Sequence, residues 1–132
     1  AREVSVPGRV ELPEIGQALE ARVTDAERYA IPAKPDRVAF DADRLPMRLL
    51  VRPRRAGDRL APFGGAERKL KDLLIDAKVP RWERSRVPVI EAAGEIVWVA
   101  GLRRGAAAPV TAATRRVLEL ALVPLAEPRA GR

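Results

Sequence analysis

Apolar and polar residues alternate with a period of two over the first part of the chain. From Arg2 to about Met47, Val4, Val6, Val10 and Leu12 alternate with Ser5, Arg9 and Glu11 around Pro7-Gly8. Leu19, Ala21 and Val23 alternate with Glu20, Arg22 and Thr24. This period places alternate side chains on one buried face, so it predicts a hairpin or bent strand followed by a second strand. Val38 and Phe40 mark a third, and prolines at 7, 13, 32, 35 and 46 keep helix out of this arm. Leu49 to Val51 predicts another strand. It enters a loop from Pro53 to Gly65 that carries two turn signals, Ala56-Gly57-Asp58 and Gly64-Gly65.

The period then changes. Leu70, Leu73, Leu74 and Ala77 recur at helical spacing, which predicts one main helix over roughly Glu67 to Lys78 with those residues on its buried stripe. Lys69, Lys71, Asp72 and Asp76 fall on the outer side, and Pro80 stops the helix. Pro80 to Arg86 predicts a second, short helix with Pro80 in its first turn. Val87 to Ile90 and Ile96 to Ala100 predict a hairpin across Glu91-Ala92-Ala93-Gly94-Glu95. Arg115 to Val123 alternates as a closing strand, although Val117, Leu118, Leu120 and Leu122 also fit a helix. The sum is an α+β fold: a small, mostly antiparallel sheet with one main helix and a short second helix. Three segments are expected: a β-rich lead-in over 1–47, a domain over 48–123, and a disordered tail over 124–132.

Composition narrows the chemistry. The 132 residues suit one domain, 47% of them apolar but only 4% aromatic, so the core must be built mainly from Val, Leu, Ile and Ala. Cys and His are both absent. That excludes the usual zinc, haem and iron–sulfur ligand sets, disulfides, thiol nucleophiles and histidine relays. The hydroxyl nucleophiles reduce to Ser5, Ser85, Thr24, Thr111 and Thr114. A self-sufficient enzyme is not expected, nor is a cofactor or metal in the chain itself. No apolar run reaches the length of a membrane helix, and the start does not resemble a signal peptide. Ala1 stands where an initiator Met would, as in a piece of a longer protein. The expected compartment is the cytoplasm, with no membrane partner.

Charge then supplies a direction. Lys and Arg total 25 against 18 acidic residues, a net +7. Arg48 to Arg104 holds 14 basic and 7 acidic residues, and the remainder is balanced at 11 and 11. A basic block between neutral arms points to a polyanionic partner, nucleic acid or an anionic surface.

Within that block, Arg52-Pro53-Arg54-Arg55-Ala56-Gly57-Asp58-Arg59 places guanidinium groups on a turn. Their planar forks suit bidentate phosphate contacts, with Asp58 orienting an arginine or capping the turn. The competing reading is a solvated strand edge. Gly64-Gly65 followed by Arg68, Lys69 and Lys71 suggests backbone and side-chain donors for phosphate near a helix start. The P-loop spacing is absent, and no Ser or Thr follows Lys69. In Lys78-Val-Pro-Arg-Trp-Glu-Arg84, with Arg86 beyond, basic residues surround Trp82, which is expected to pack into the core. Trp98, in Ile96-Val-Trp-Val99, is expected there too. Arg103 and Arg104 extend the basic surface.

The order and spacing of these segments resemble a known family. Arg52-Pro-Arg-Arg-Ala-Gly-Asp-Arg59, then Arg68-Lys-Leu-Lys-Asp-Leu-Leu-Ile-Asp-Ala-Lys-Val-Pro-Arg-Trp-Glu-Arg84, Val87-Pro-Val-Ile90 and Ile96-Val-Trp-Val-Ala-Gly-Leu-Arg103 look like the C-terminal domain of bacterial tRNA(Ile)-lysidine synthases. The likeness spans about Leu45 to Leu122. Here the loop Pro62-Phe-Gly-Gly-Ala-Glu-Arg-Lys69 is slightly shorter than the family's and carries Glu67 and Arg68. The resemblance implies a parent ligase that uses ATP and Mg to join lysine to the wobble cytidine of an isoleucine tRNA. It places that chemistry in an N-terminal domain with a Ser-Gly-Gly-x-Asp-Ser loop, which is not found in this sequence.

For this chain the resemblance implies a non-catalytic tRNA-binding domain facing the acceptor-stem side of tRNA(Ile), with its own catalytic domain as a second partner. The candidate contacts are Arg52, Arg54, Arg55, Arg59, Arg68, Lys69, Lys71, Lys78, Arg84 and Arg103. The alternative is an interdomain or dimerisation module, possible as a homodimer, in which Arg52 and Asp58 would be buried interface groups. An independent nucleotide-using enzyme is the third class.

Overall fold

A computed structural model of the chain describes residues 2–27, 29–32, 34–62 and 65–125. Strand β1 (Arg2–Ser5) runs through a cis Val6–Pro7 peptide into β2 (Gly8–Leu12), which belongs to a different sheet. The alternation around Pro7-Gly8 is therefore a bent strand and not a hairpin. β3 (Gln17–Asp25) and β4 (Arg37–Asp41) complete the period-two arm. After β5 (Arg48–Arg52) come two short strands, β6 (Arg59–Leu60) and β7 (Arg68–Lys69), and the one α-helix among the described residues, α1 (Leu70–Asp76). A 3-10 helix (Arg81–Arg86) leads to β8 (Val89–Ala92), β9 (Glu95–Val99), β10 (Arg103–Arg104) and β11 (Arg116–Pro124).

Among the described residues every strand pairing is antiparallel, and the strands form two main sheets, β1-β5-β8-β9-β10 and β2-β3-β11-β4, with β6-β7 as a two-stranded ribbon. The lead-in and the later segment interlock: β1 pairs with β5, while β3 and β4 flank β11, the expected closing strand. One apolar cluster, including Leu19, Phe40, Leu49, Ile90, Trp98, Leu118 and Leu120, lies between the sheets. A second, of Leu60, Leu70, Leu73, Leu74, Val89, Ile96 and Val99, joins α1 and the ribbon to the opposite face of the first sheet. With both faces covered, β9 reads as a nearly continuous apolar run.

The α+β class stands, and three local expectations are corrected. The helix starts at Leu70 and not at Glu67, because Arg68 and Lys69 pair with Leu60 and Arg59 and the Leu70 N–H donates to Asp58 O at 2.8 Å. Ala77 lies outside the buried stripe and is exposed. Trp82 is 78% exposed, while Trp98 is in the core at 1%. The short second helix is present in 3-10 form. Of the tail expected to be disordered, Pro124 ends β11 and the Leu125 N–H donates to Gly16 O at 3.1 Å, while 126–132 lie outside the described residues.

Candidate nucleic-acid interface

The arginine-rich loop is anchored at its first member. Arg52 ends β5 and is only 6% exposed. Its Nη1 and Nη2 donate to the two carboxylate oxygens of Asp58 at 2.9 and 3.0 Å, and Nε donates to Glu91 Oε2 at 2.6 Å. Nη1 also donates to Pro53 O at 3.0 Å. Asp58 closes the turn as well: its Oδ2 accepts the Arg55 N–H at 2.7 Å, and its own N–H donates to Arg55 O at 3.1 Å. Gly57 at φ +89 supplies the positive φ that a turn of this shape requires.

The hydrogen bond to Asp58 raises the pKa of Arg52. Burial pushes the Asp58 carboxyl up, but hydrogen bonds from Arg52 and the Arg55 N–H outweigh it and hold the pKa below the ordinary value. Arg52 is thereby removed from the expected contact surface. It braces the loop from inside, and half-buried Asp58 is turned onto it within this one domain, so the pair is engaged internally and does not form the interface groups that the interdomain alternative requires.

The braced loop presents Arg55 to solvent and leaves Arg54 half-buried. Beside it, the ribbon sets Arg59 directly opposite Lys69, both exposed. Cross-strand partners share a face, and like charges so placed repel. Glu67 answers part of this, lying 3.2 Å from Arg59 Nε. Arg68 is turned to Asp76 at the far end of α1. Lys71 projects from the exposed side of the helix. Lys78 follows the helix end in a left-handed conformation, φ 60, with its N–H donating to Ile75 O at 2.9 Å and the Val79 N–H to Leu74 O at 3.1 Å. That is a helix stop usually made by glycine.

Arg84 is half-buried, with Nε donating to Val79 O at 3.0 Å, and Arg86 donates through Nη2 to Glu14 O at 2.7 Å. Arg103 is exposed on β10. Among the described residues, no carboxylate lies within ion-pair reach of Arg54, Arg55, Lys69, Lys71, Lys78 or Arg103.

The Gly64-Gly65 element is not the start of a helix. The ribbon strand Arg68–Lys69 intervenes before Leu70, and Gly64 lies outside the described residues. Two cations outside the basic block, Lys34 and Arg37, were not signalled by any local pattern, yet they line a groove with Arg103.

A two-sheet body that holds a rim of unneutralised cations defines a class, the basic α+β surface module. Its family follows from comparison with known proteins. A family model described as the TilS substrate C-terminal domain matches residues 49–120, and the chain belongs to that family. It is 41% identical over 102 residues to the tRNA(Ile)-lysidine synthase of Symbiobacterium thermophilum, a match covering 76% of this chain and 21% of that protein. To the tRNA(Ile)-lysidine synthase of Caldanaerobacter subterraneus subsp. tengcongensis it is 34% identical over 117 residues, covering 87% of this chain and 25% of that protein. The crystal structure of a TilS C-terminal domain matches the fold with a TM-score of 0.82 at 32% identity, covering 96% of this chain and 98% of that one. The chain thus spans about a fifth of the length of the first of these relatives.

Proposed function

We propose that this chain is the tRNA-binding, non-catalytic C-terminal domain of a cytoplasmic tRNA(Ile)-lysidine synthase. It engages the acceptor-stem side of tRNA(Ile) while a separate domain of the same enzyme carries the ATP- and Mg-dependent ligation. The observation that carries this reading is the braced loop. Arg52, Asp58 and Glu91 fix the turn that carries Arg54 and Arg55, and among the described residues no carboxylate lies within ion-pair reach of either guanidinium group, nor of the exposed Lys69 and Lys71. Double-helical RNA is recognised mainly by shape and phosphate, which rigidly mounted guanidinium groups serve well.

Family membership supports the choice of RNA: the relatives are named for a reaction on an isoleucine tRNA.

The test is tRNA(Ile) binding as a function of salt, for the wild type and for Arg54→Ala/Arg55→Ala. Losing two phosphate contacts weakens binding roughly tenfold or more at 100 mM salt and lowers the slope of log affinity against log salt by about 2. Equal affinity and equal slope in the double variant would show that the loop is not the contact face.

A further inference from the structure

A second cationic site opens where the edges of the two sheets meet. β10 is the edge of the first sheet and β4 the edge of the second, and the side chain of Arg104 spans them. Its Nε and Nη2 donate to Ala39 O at 3.1 and 2.8 Å, and its Nη1 and Nη2 reach Ala107 O and Ala108 O, each at 3.1 Å. The guanidinium carbon stands 4.1 Å from the centroid of the Phe40 ring.

Beside this clamp lies a groove of about 410 Å³, lined by Lys34, Arg37, Arg103 and Arg104, with Trp98 and Leu102 among its apolar walls. No carboxylate among the described residues lines it. Arg37 has Glu119 at a long 3.8 Å, and Lys34 and Arg103 are exposed with no ion pair among the described residues. Burial pushes the pKa of Arg104 down to about 10, so the fold keeps a cation there at a desolvation cost, yet still charged at neutral pH. Crowding cations in one groove raises the energy of the empty site, and an anion relieves it. The contrast with the groove beside Arg59 is direct, since Asp58, Glu67 and Glu95 line that one.

The residues that follow Arg103 and Arg104 also meet the end of β6. Pro62 bridges to Gly105, and the Ala106 N–H donates to Ala61 O at 2.7 Å, so Ala61 and Pro62 lie against the residues that follow Arg103 and Arg104. Arg37 and Lys34 come from the lead-in arm, about 70 positions away in sequence.

We propose that this groove is a phosphodiester site for RNA, in which Lys34 and Arg103 contact one or two backbone phosphates while Arg37 and Arg104 supply the field behind them. The proposal rests on the tRNA-binding reading above and extends it to a second sheet edge.

The chain has four lysines, Lys34, Lys69, Lys71 and Lys78, so acetylation footprinting by mass spectrometry reports both faces in one experiment. With tRNA(Ile) present, acetylation slows at Lys34 as well as at Lys69 and Lys71. Protection of Lys69 and Lys71 with Lys34 unchanged overturns the groove and leaves the loop reading standing. Protection of Lys34 alone supports the groove and removes the loop. Protection of none overturns both. The second arm is Lys34→Gln/Arg103→Gln, at two exposed positions. This variant binds tRNA roughly tenfold more weakly at 100 mM salt, with a salt slope smaller by about 2. An unchanged slope overturns the proposal.

Discussion

Arg52→Met separates a residue that supports the contact loop from one that makes contact. Methionine keeps most of the apolar stem and removes every guanidinium donor. Asp58 and Glu91, whose side chains are 11% and 17% exposed, are then left without the cation between them. Breaking a buried pair by deleting one member costs about 3–5 kcal/mol, because the remaining charge stays desolvated. Asp58 keeps the Arg55 N–H at 2.7 Å and both carboxylates retain an edge of solvent. The expected loss therefore lies at the lower end, about 3 kcal/mol. Domains have about 5–15 kcal/mol in total, so this is a large fraction.

Urea unfolding followed by far-UV circular dichroism reads the loss as a midpoint lower by about 1–3 M, at a denaturant slope of about 1–3 kcal/mol/M. Acid sharpens the test. Asp58 is held below its ordinary pKa, so its contribution is fully present above the unfolded value of about 3.9 and is lost as pH falls through the lower folded value. The gap between wild type and variant must narrow on acidification below about pH 4. A variant with wild-type stability and weakened tRNA binding would refute the brace and return Arg52 to the contact surface.

Three further changes probe the surroundings. Trp82→Ala leaves stability within about 0.5 kcal/mol by thermal unfolding, because the ring is 78% exposed; a loss of about 3–5 kcal/mol would mean that it packs in the core. Lys78→Gly relieves the left-handed backbone at the end of α1. It raises stability by about 0.5–1 kcal/mol while weakening tRNA binding, and a destabilised variant contradicts a left-handed stop at Lys78. Gly105→Ala puts a methyl group 2.9 Å from Ile96 O and 3.2 Å from Leu60 Cδ1, where the ribbon meets the first sheet. It lowers stability by about 1–3 kcal/mol, and a neutral effect would show that this junction is loose.

The strands were legible because burial on one face writes itself into the sequence as alternation: Leu19, Ala21 and Val23, or Leu118, Leu120 and Leu122, point inward wherever the pairing falls. The helix boundary was not. Arg68 and Lys69 directly precede the apolar repeat of Leu70, Leu73 and Leu74, as the polar side of a first helical turn would, and only their pairing with Leu60 and Arg59 takes them out of the helix. Hydrogen bonds to a strand eight or more positions upstream leave no periodic trace. Trp82 was misplaced for a related reason. A tryptophan after Pro80 is most often packed, and nothing local shows that this short 3-10 helix turns it outward.

The loop did hold one usable signal for Arg52: an acidic residue, Asp58, in the same turn, and a position at the end of a buried strand. A guanidinium so placed has an internal partner, whereas those of Arg54 and Arg55, beyond Pro53, have no carboxylate within ion-pair reach among the described residues.

The distribution of charge makes the same point at the scale of the surface. Counting along the chain assigns the whole excess to Arg48–Arg104 and treats the arms as neutral. In space, β4 carries Arg37 beside Arg103, and Asp58 and Glu91 cancel the best-placed arginine of the block. A polyanion meets the field of the folded surface, to which buried pairs contribute little and sheet edges from distant segments contribute directly. Arg104 joins the two scales. It belongs to the basic block by sequence, but its fork is turned inward onto the carbonyls of Ala39, Ala107 and Ala108, holding together the two edges from which Arg37 and Arg103 project. If the groove is a phosphate site, the residue that assembles it is an arginine that a count of exposed cations would leave out.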